Sequence, residues 1–144
     1  MAFVTTPAGD ELTTLELLVL VESGDYNDLG DAYGAIQLYA VFEEAKDLDD
    51  ATESALLRLF DLGFIQCMEV PWDVAYEVDY TRLPPMSRDQ LVARLAWERD
   101  GPDVTPVTRV FYDATPAGEA VLRSVPRERI PQVSGNVRRP WLNS

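Results

Sequence analysis

The tripeptide Leu62-Gly63-Phe64 divides this chain into two kinds of pattern. Before it, apolar residues recur at helical spacing; after it, alternating stretches appear with two further helical ones among them. Three helices followed by strands and later helices is an α+β order. The tripeptide itself reads as a Schellman stop, with Gly63 left-handed and Phe64 packing back on the helix it ends. Upstream, Thr13 and Glu16 have the spacing of a capping box and predict a helix near 13–23, ended by Ser23-Gly24. The stretch from Asp25 to Asp31 is turn chemistry. A second helix is expected over 32–45, with Tyr33, Ile36, Ala40 and Val41 inward. A third starts after Asp49 or Asp50, where Asp50 and Glu53 repeat the capping spacing. It runs to residue 62 with Ala55, Leu56, Leu59 and Phe60 as its buried stripe.

Beyond the stop, residues 64–70 read as a strand. Trp72, Val74, Tyr76, Val78 and Tyr80 then alternate strictly with other residues, which predicts a second, half-buried strand. Pro84-Pro85 breaks the chain. Ser87 to Arg99 has the pattern of an inserted amphipathic helix with Leu91, Leu95 and Ala96 inward. Residues 107–113 form the next strand, and Thr115-Pro116 opens a short helix to Leu122, with Thr as cap and Pro in the first turn. Residues 125–144 hold three prolines and little periodicity, as an extended tail would. At 144 residues the chain fits one domain. The expected division is an N-terminal extension over 1–9, a domain over 10–124 with an insertion at 80–106, and a tail over 125–144.

Three helices, two strands and a closing helix, in that order, resemble a winged helix-turn-helix. Two segments carry the resemblance. Leu56-Leu57-Arg58-Leu59-Phe60-Asp61-Leu62-Gly63-Phe64-Ile65 is similar to the end of the recognition helix in PadR-like and MarR-like regulators. Val110-Phe111-Tyr112-Asp113-Ala114-Thr115-Pro116-Ala117-Gly118-Glu119-Ala120-Val121-Leu122 resembles their second wing strand and the Thr-x-x-Gly helix start that follows. With the Leu12-Thr13-Thr14-Leu15-Glu16 opening, the likeness spans about Asp10 to Arg123. It implies a three-helix unit with a β-wing. Two departures stand out: the connection between the wing strands, roughly 80–106, is long and carries its own helix, and the recognition helix begins with acids.

Those acids bear on function. Residues 1–57 hold one base, Lys46, and thirteen acids, which is −12 of the chain's net −13. A helix that grips a polyanion needs Lys and Arg to displace counterions from phosphates. Asp47, Asp49, Asp50 and Glu53 stand where a DNA reader would expose cations and hydrogen-bonding side chains to base edges. Acids at a helix start also cap it and favour its dipole, which accounts for one or two of the four. The remainder point to an acidic face for a basic protein partner, as in a regulatory, antagonist or immunity-type module. The alternative is a DNA-binding transcriptional regulator of the PadR/MarR-like type, with contacts from Thr52, Ser54, Arg58, Arg82, Arg109 and the tail arginines. Nucleic acid is disfavoured but not excluded. A third option is a small-molecule sensor with a pocket under the Trp72, Tyr76, Tyr80 stripe. The resemblance also allows a homodimer, since winged-helix regulators commonly dimerise.

Catalysis finds little support. The chain has no histidine, which removes the commonest general base and most zinc sites. Cys67, the only cysteine, is expected buried and inert, and its solitude suits a reducing, cytoplasmic setting. Gly24, Gly30 and Gly34 lack the spacing of a phosphate loop. The Asp25–Asp31 stretch fails as a calcium loop, because Leu29 and Ile36 occupy ligand positions. No apolar run is long enough to span a bilayer and no basic residue marks a secretory leader. The expectation is a non-enzymatic protein with no cofactor, no metal site and no membrane contact.

Overall fold

The computed structural model describes residues 3–6, 9–39, 45–101, 106–126 and 128. It is an α+β arrangement of five helices and short antiparallel strands. Three helices form the first unit: α1 (Thr14–Val21), α2 (Leu29–Tyr39) and α3 (Ala45–Asp61), each packed on the other two. The strands expected at 64–70 and 107–113 are Ile65–Pro71 and Thr108–Ala114. They pair antiparallel, with Cys67 opposite Tyr112 and Glu69 opposite Val110. Residues 24–28 lie against the second of them. Gly24 N donates to Tyr112 O at 3.0 Å, Tyr112 N donates to Asn27 O at 3.1 Å, and Asp28 bridges Phe111. Helix α5 (Pro116–Ser124) closes the unit against α1.

Local signals set several boundaries as expected. Thr13 caps α1 through a complete box with Glu16. At the end of α3, Phe64 N donates to Leu59 O and Gly63 N to Phe60 O, the paired bonds of a Schellman stop, with Gly63 at φ +79°. Thr115 caps α5, and Thr115 N donates to Phe64 O, so the two ends of the hairpin are tied together.

Other boundaries differ, each for a physical reason. Within the stretch expected as an extension, residues 3–6 and 9 are ordered against the domain. Phe3–Thr5 (β1) pairs with Glu11–Thr13 (β2), and Gly9 at φ +94° turns the chain between them, its N–H donating to Thr6 O. With these counted, the longer pair is β3 (Ile65–Pro71) and β4 (Thr108–Ala114). Helix α2 begins at Leu29 rather than residue 32, because Asp28 and Asp31 each accept the other's backbone N–H and form an all-aspartate capping box. Residues 40–44, where its end was expected, lie outside the described residues. Helix α3 begins at Ala45, before the aspartates, since nothing from 45 to 53 interrupts it. Thr52 satisfies its hydroxyl by bonding back to Leu48 O, which only a helix allows.

The strand expected from Trp72 to Tyr80 is absent. Trp72 N makes a last rung to Val107 O, and the chain then coils through two short 3-10 turns, Trp72–Val74 and Tyr80–Arg82. Beyond Val107, β4 offers no described partner to carry the ladder further. The alternation does not mark one face either: Tyr80 is buried, whereas Val74 and Tyr76 are exposed. Instead 72–83 covers one face of the hairpin, where Met68, Val70, Ala75, Tyr80 and Phe111 form a small core. The inserted helix α4 (Arg88–Arg99) covers the other, burying Leu91 and Leu95 in the main core with Cys67, Val110 and Tyr112. Met86 N donates to Cys67 O and so occupies part of the open edge of β3. Of the expected tail, Val125 is buried and the segment beyond residue 128 lies outside the described residues.

Candidate functional site

Helix α4 runs along α3 and is pinned to it at both ends. Arg88 Nε lies 2.9 Å from Asp61 Oδ1. Arg99 Nε donates to Glu53 Oε2 at 2.8 Å and its Nη2 reaches Asp50 Oδ1 at 3.4 Å. Arg88 meets the C-terminal end of α3 and Arg99 its N-terminal half, so the helices are antiparallel. The pinned residues are eleven apart on α4 and eight to eleven apart on α3, roughly 12–16 Å at helical rise, which keeps the two in step. A third arginine, Arg94, fastens α4 to the sheet. It donates to Thr108 Oγ1 at 2.7 Å, to Thr108 O at 2.8 Å and to Glu98 Oε1 at 2.9 Å.

This places the four expected partner-binding acids in two groups. Asp50 and Glu53 belong to the α3–α4 contact and are taken by Arg99. They sit inside the helix rather than at its start, so neither is a cap. Asp47, in the first turn, and Asp49 carry no ion pair with a described side chain. Tyr33 on α2 points into the neighbourhood of Glu53, Asp49 and Glu98. Burial, reinforced by those carboxylates, pushes its hydroxyl well above the usual tyrosine range.

The residues of the DNA-binding alternative are scattered. Thr52 is fully buried. Ser54 is exposed on α3. Arg58 is held by Glu16 of α1 at 2.6 Å, and that hydrogen bond raises its affinity for its proton. Arg82 is exposed but pairs with Asp79 at 3.2 Å. Arg109 is largely enclosed. Its Nη1 is 2.6 Å from Asp28 Oδ2, and its guanidinium lies 4.0 Å over the Trp72 ring and 4.9 Å from that of Tyr76. Its Nε is buried with no hydrogen-bond partner, and the aromatic faces stand in for one electrostatically. Beyond these, Arg88, Arg94, Arg99 and Arg123 are also ion-paired, so all seven described arginines have a carboxylate. Sequence reading missed this pairing, because each partner but three (Asp79, Glu98 and Glu119, three or four residues away) lies far away in the chain.

Between α4, α2 and β4 lies a cleft of about 150 Å³ lined chiefly by Asp28, Gly30, Trp72, Arg94, Glu98 and Arg109. Its charges neutralise one another, and among the described residues no hydroxyl, thiol or amine lines it. Asp31, at the mouth of α2, has its carboxyl raised above the usual range by burial first and by Asp28 beside it. Cys67 is buried, and burial pushes its thiol up to about 12. Among the described residues no three acids or thiols are placed to hold a metal ion, and no helix is long and apolar enough to cross a membrane.

No family model matches the chain, nor does any curated protein or solved structure.

Proposed function

We propose that the chain is a non-enzymatic winged-helix protein that binds a basic protein partner through an acidic surface, in a cytoplasmic setting. The order of three helices, hairpin and closing helix supports the fold reading, as does the 24–28 segment pairing with β4 between the first two helices. One observation carries the functional reading. Every described arginine is already paired within the chain, while Asp47 and Asp49 on α3 have no described cation, so the surplus on the surface is anionic. Phosphates would find no unpaired described arginine, and Arg58, the one arginine of α3, is already paired with Glu16. The long insertion is consistent with this: its helix lies along α3, where a wing would leave the recognition helix free.

The test is a salt titration of duplex DNA binding, with the full chain and with a chain ending at Ser124, which lacks the tail arginines. Association of about 10⁻⁴ M or weaker at physiological salt is expected for both. Tight, sequence-selective binding that survives removal of the tail would restore the DNA-binding regulator.

A further inference from the structure

We propose that the exposed sides of Tyr26 and Tyr76, rimmed by Asp25, Asp73 and Glu77, receive an arginine side chain from a basic protein segment. The inference rests on the acidic-surface reading and names where that partner binds. Tyr76 is 61% exposed and Tyr26 37%, two of the five large apolar side chains exposed on the described surface, and their ring centroids are 5.9 Å apart. Neither ring is loose. Tyr26 stands edge-on to Phe111 at 5.4 Å and to Tyr80 at 5.1 Å, and Tyr76 leans on Phe111 at 5.8 Å. Asp25 and Tyr26 hold positive φ of 52° and 61°, a left-handed pair that bulky residues rarely adopt, and this turn is what brings Tyr26 to Tyr76.

The chemistry of the occupant is shown a few ångströms away. Within the same cluster the protein holds a guanidinium of its own, Arg109, against Trp72 and Tyr76 with Asp28 as counter-ion. The exposed parts of Tyr26 and Tyr76 offer the same kinds of group: two tyrosine rings, and three exposed acids within three residues of them in the chain that form no ion pair with a described residue. Charge complementarity selects a cation. A second copy of this chain would bring the same acids and a net charge of −13. Planar stacking on a ring favours guanidinium over ammonium, so arginine is preferred to lysine.

Fluorescence anisotropy with two labelled peptides of equal length and charge, one arginine-rich and one lysine-rich, reads this out at low and at physiological salt. The full chain should bind the arginine peptide about two- to fivefold more tightly than the lysine peptide. Tyr76→Ala should erase that preference and Tyr76→Phe should keep it, while Asp73→Asn with Glu77→Gln weakens both peptides. Asp47→Asn with Asp49→Asn should leave the preference intact. Equal binding of the two peptides, unmoved by Tyr76→Ala but lost with Asp47→Asn and Asp49→Asn, would overturn this site and leave the acidic-surface reading standing on α3. Failure of both peptides to bind even at low salt would overturn both. A wild-type dimer in sedimentation that Tyr76→Ala converts to monomer would assign the patch to a second copy instead.

Discussion

Gly63 and Gly118 are both required, for opposite reasons. Gly63 has open space where a Cβ would go, but its φ of +79° is the left-handed value that a Schellman stop demands. Gly118 has ordinary backbone, yet a Cβ there would sit 2.1 Å from Phe64 O, the carbonyl that also accepts Thr115 N. Gly63→Val should therefore cost about 1–2 kcal/mol through backbone strain alone. Gly118→Ala should cost a similar or larger amount, on the order of 1–3 kcal/mol, by forcing α5 away from the end of α3. Denaturant unfolding of both variants checks this, and a neutral Gly63→Val would show that the helix does not stop there. Cys67 makes a pH prediction. Its folded thiol sits near 12 against an ordinary value of 9, so the unfolded chain loses that proton first as pH rises. Stability is complete below about pH 9 and falls as pH climbs from there toward 12, by up to about 1.4 kcal/mol per pH unit. Cys67→Ala should show a flatter decline just above pH 9, and the native thiol should react with disulfide reagents only at the rate of opening.

Among the elements, what was legible beforehand was whatever is decided within four or five residues. The box at Thr13 and Glu16, the stop at Gly63 and the Thr115-Pro116 start are self-contained, and each fixes an end of a helix. The all-aspartate box at Asp28 and Asp31 was equally local but looked like turn chemistry, because aspartate serves both. Alternation from Trp72 to Tyr80 was misleading for a different reason. A strand needs a neighbour for its ladder, and the pattern alone did not reveal that the described ladder ends at Val107. The seat of α4 on α3 was not legible at all, since Arg99 meets residues 46 and 49 positions away. That seat is apolar at heart, with the ion pairs at its ends. Leu95→Ala should thus cost about 2–5 kcal/mol, the range for emptying a closed core site. Arg99→Gln, which removes a half-exposed cation from one end of that contact, should be much milder. If Leu95→Ala were as mild as Arg99→Gln, α4 would be an appendage rather than part of the core.

For the molecule as a whole, the acids outnumber the bases by thirteen, and the seven described arginines are spent on internal contacts. Those contacts hold α1 to α3, α4 to α3 and α2 to β4, so positive charge works as cross-bracing while negative charge is left to face solvent. Two electrostatic terms then oppose each other as salt is added. Screening weakens the more exposed ion pairs, such as Arg82 with Asp79 and Arg88 with Asp61, which contribute little to begin with. It also relieves repulsion among the excess carboxylates, which are concentrated in the first 57 residues. The more enclosed pairs, Glu16 with Arg58 and Asp28 with Arg109, are shielded from ions and lose least. Relief of repulsion should win. The urea midpoint should rise between about 10 mM and 500 mM sodium chloride, and most steeply at the low end, where the Debye length shrinks fastest. A midpoint that falls with salt would mean that the arginine bracing, and not the apolar core beneath it, decides the stability of this fold.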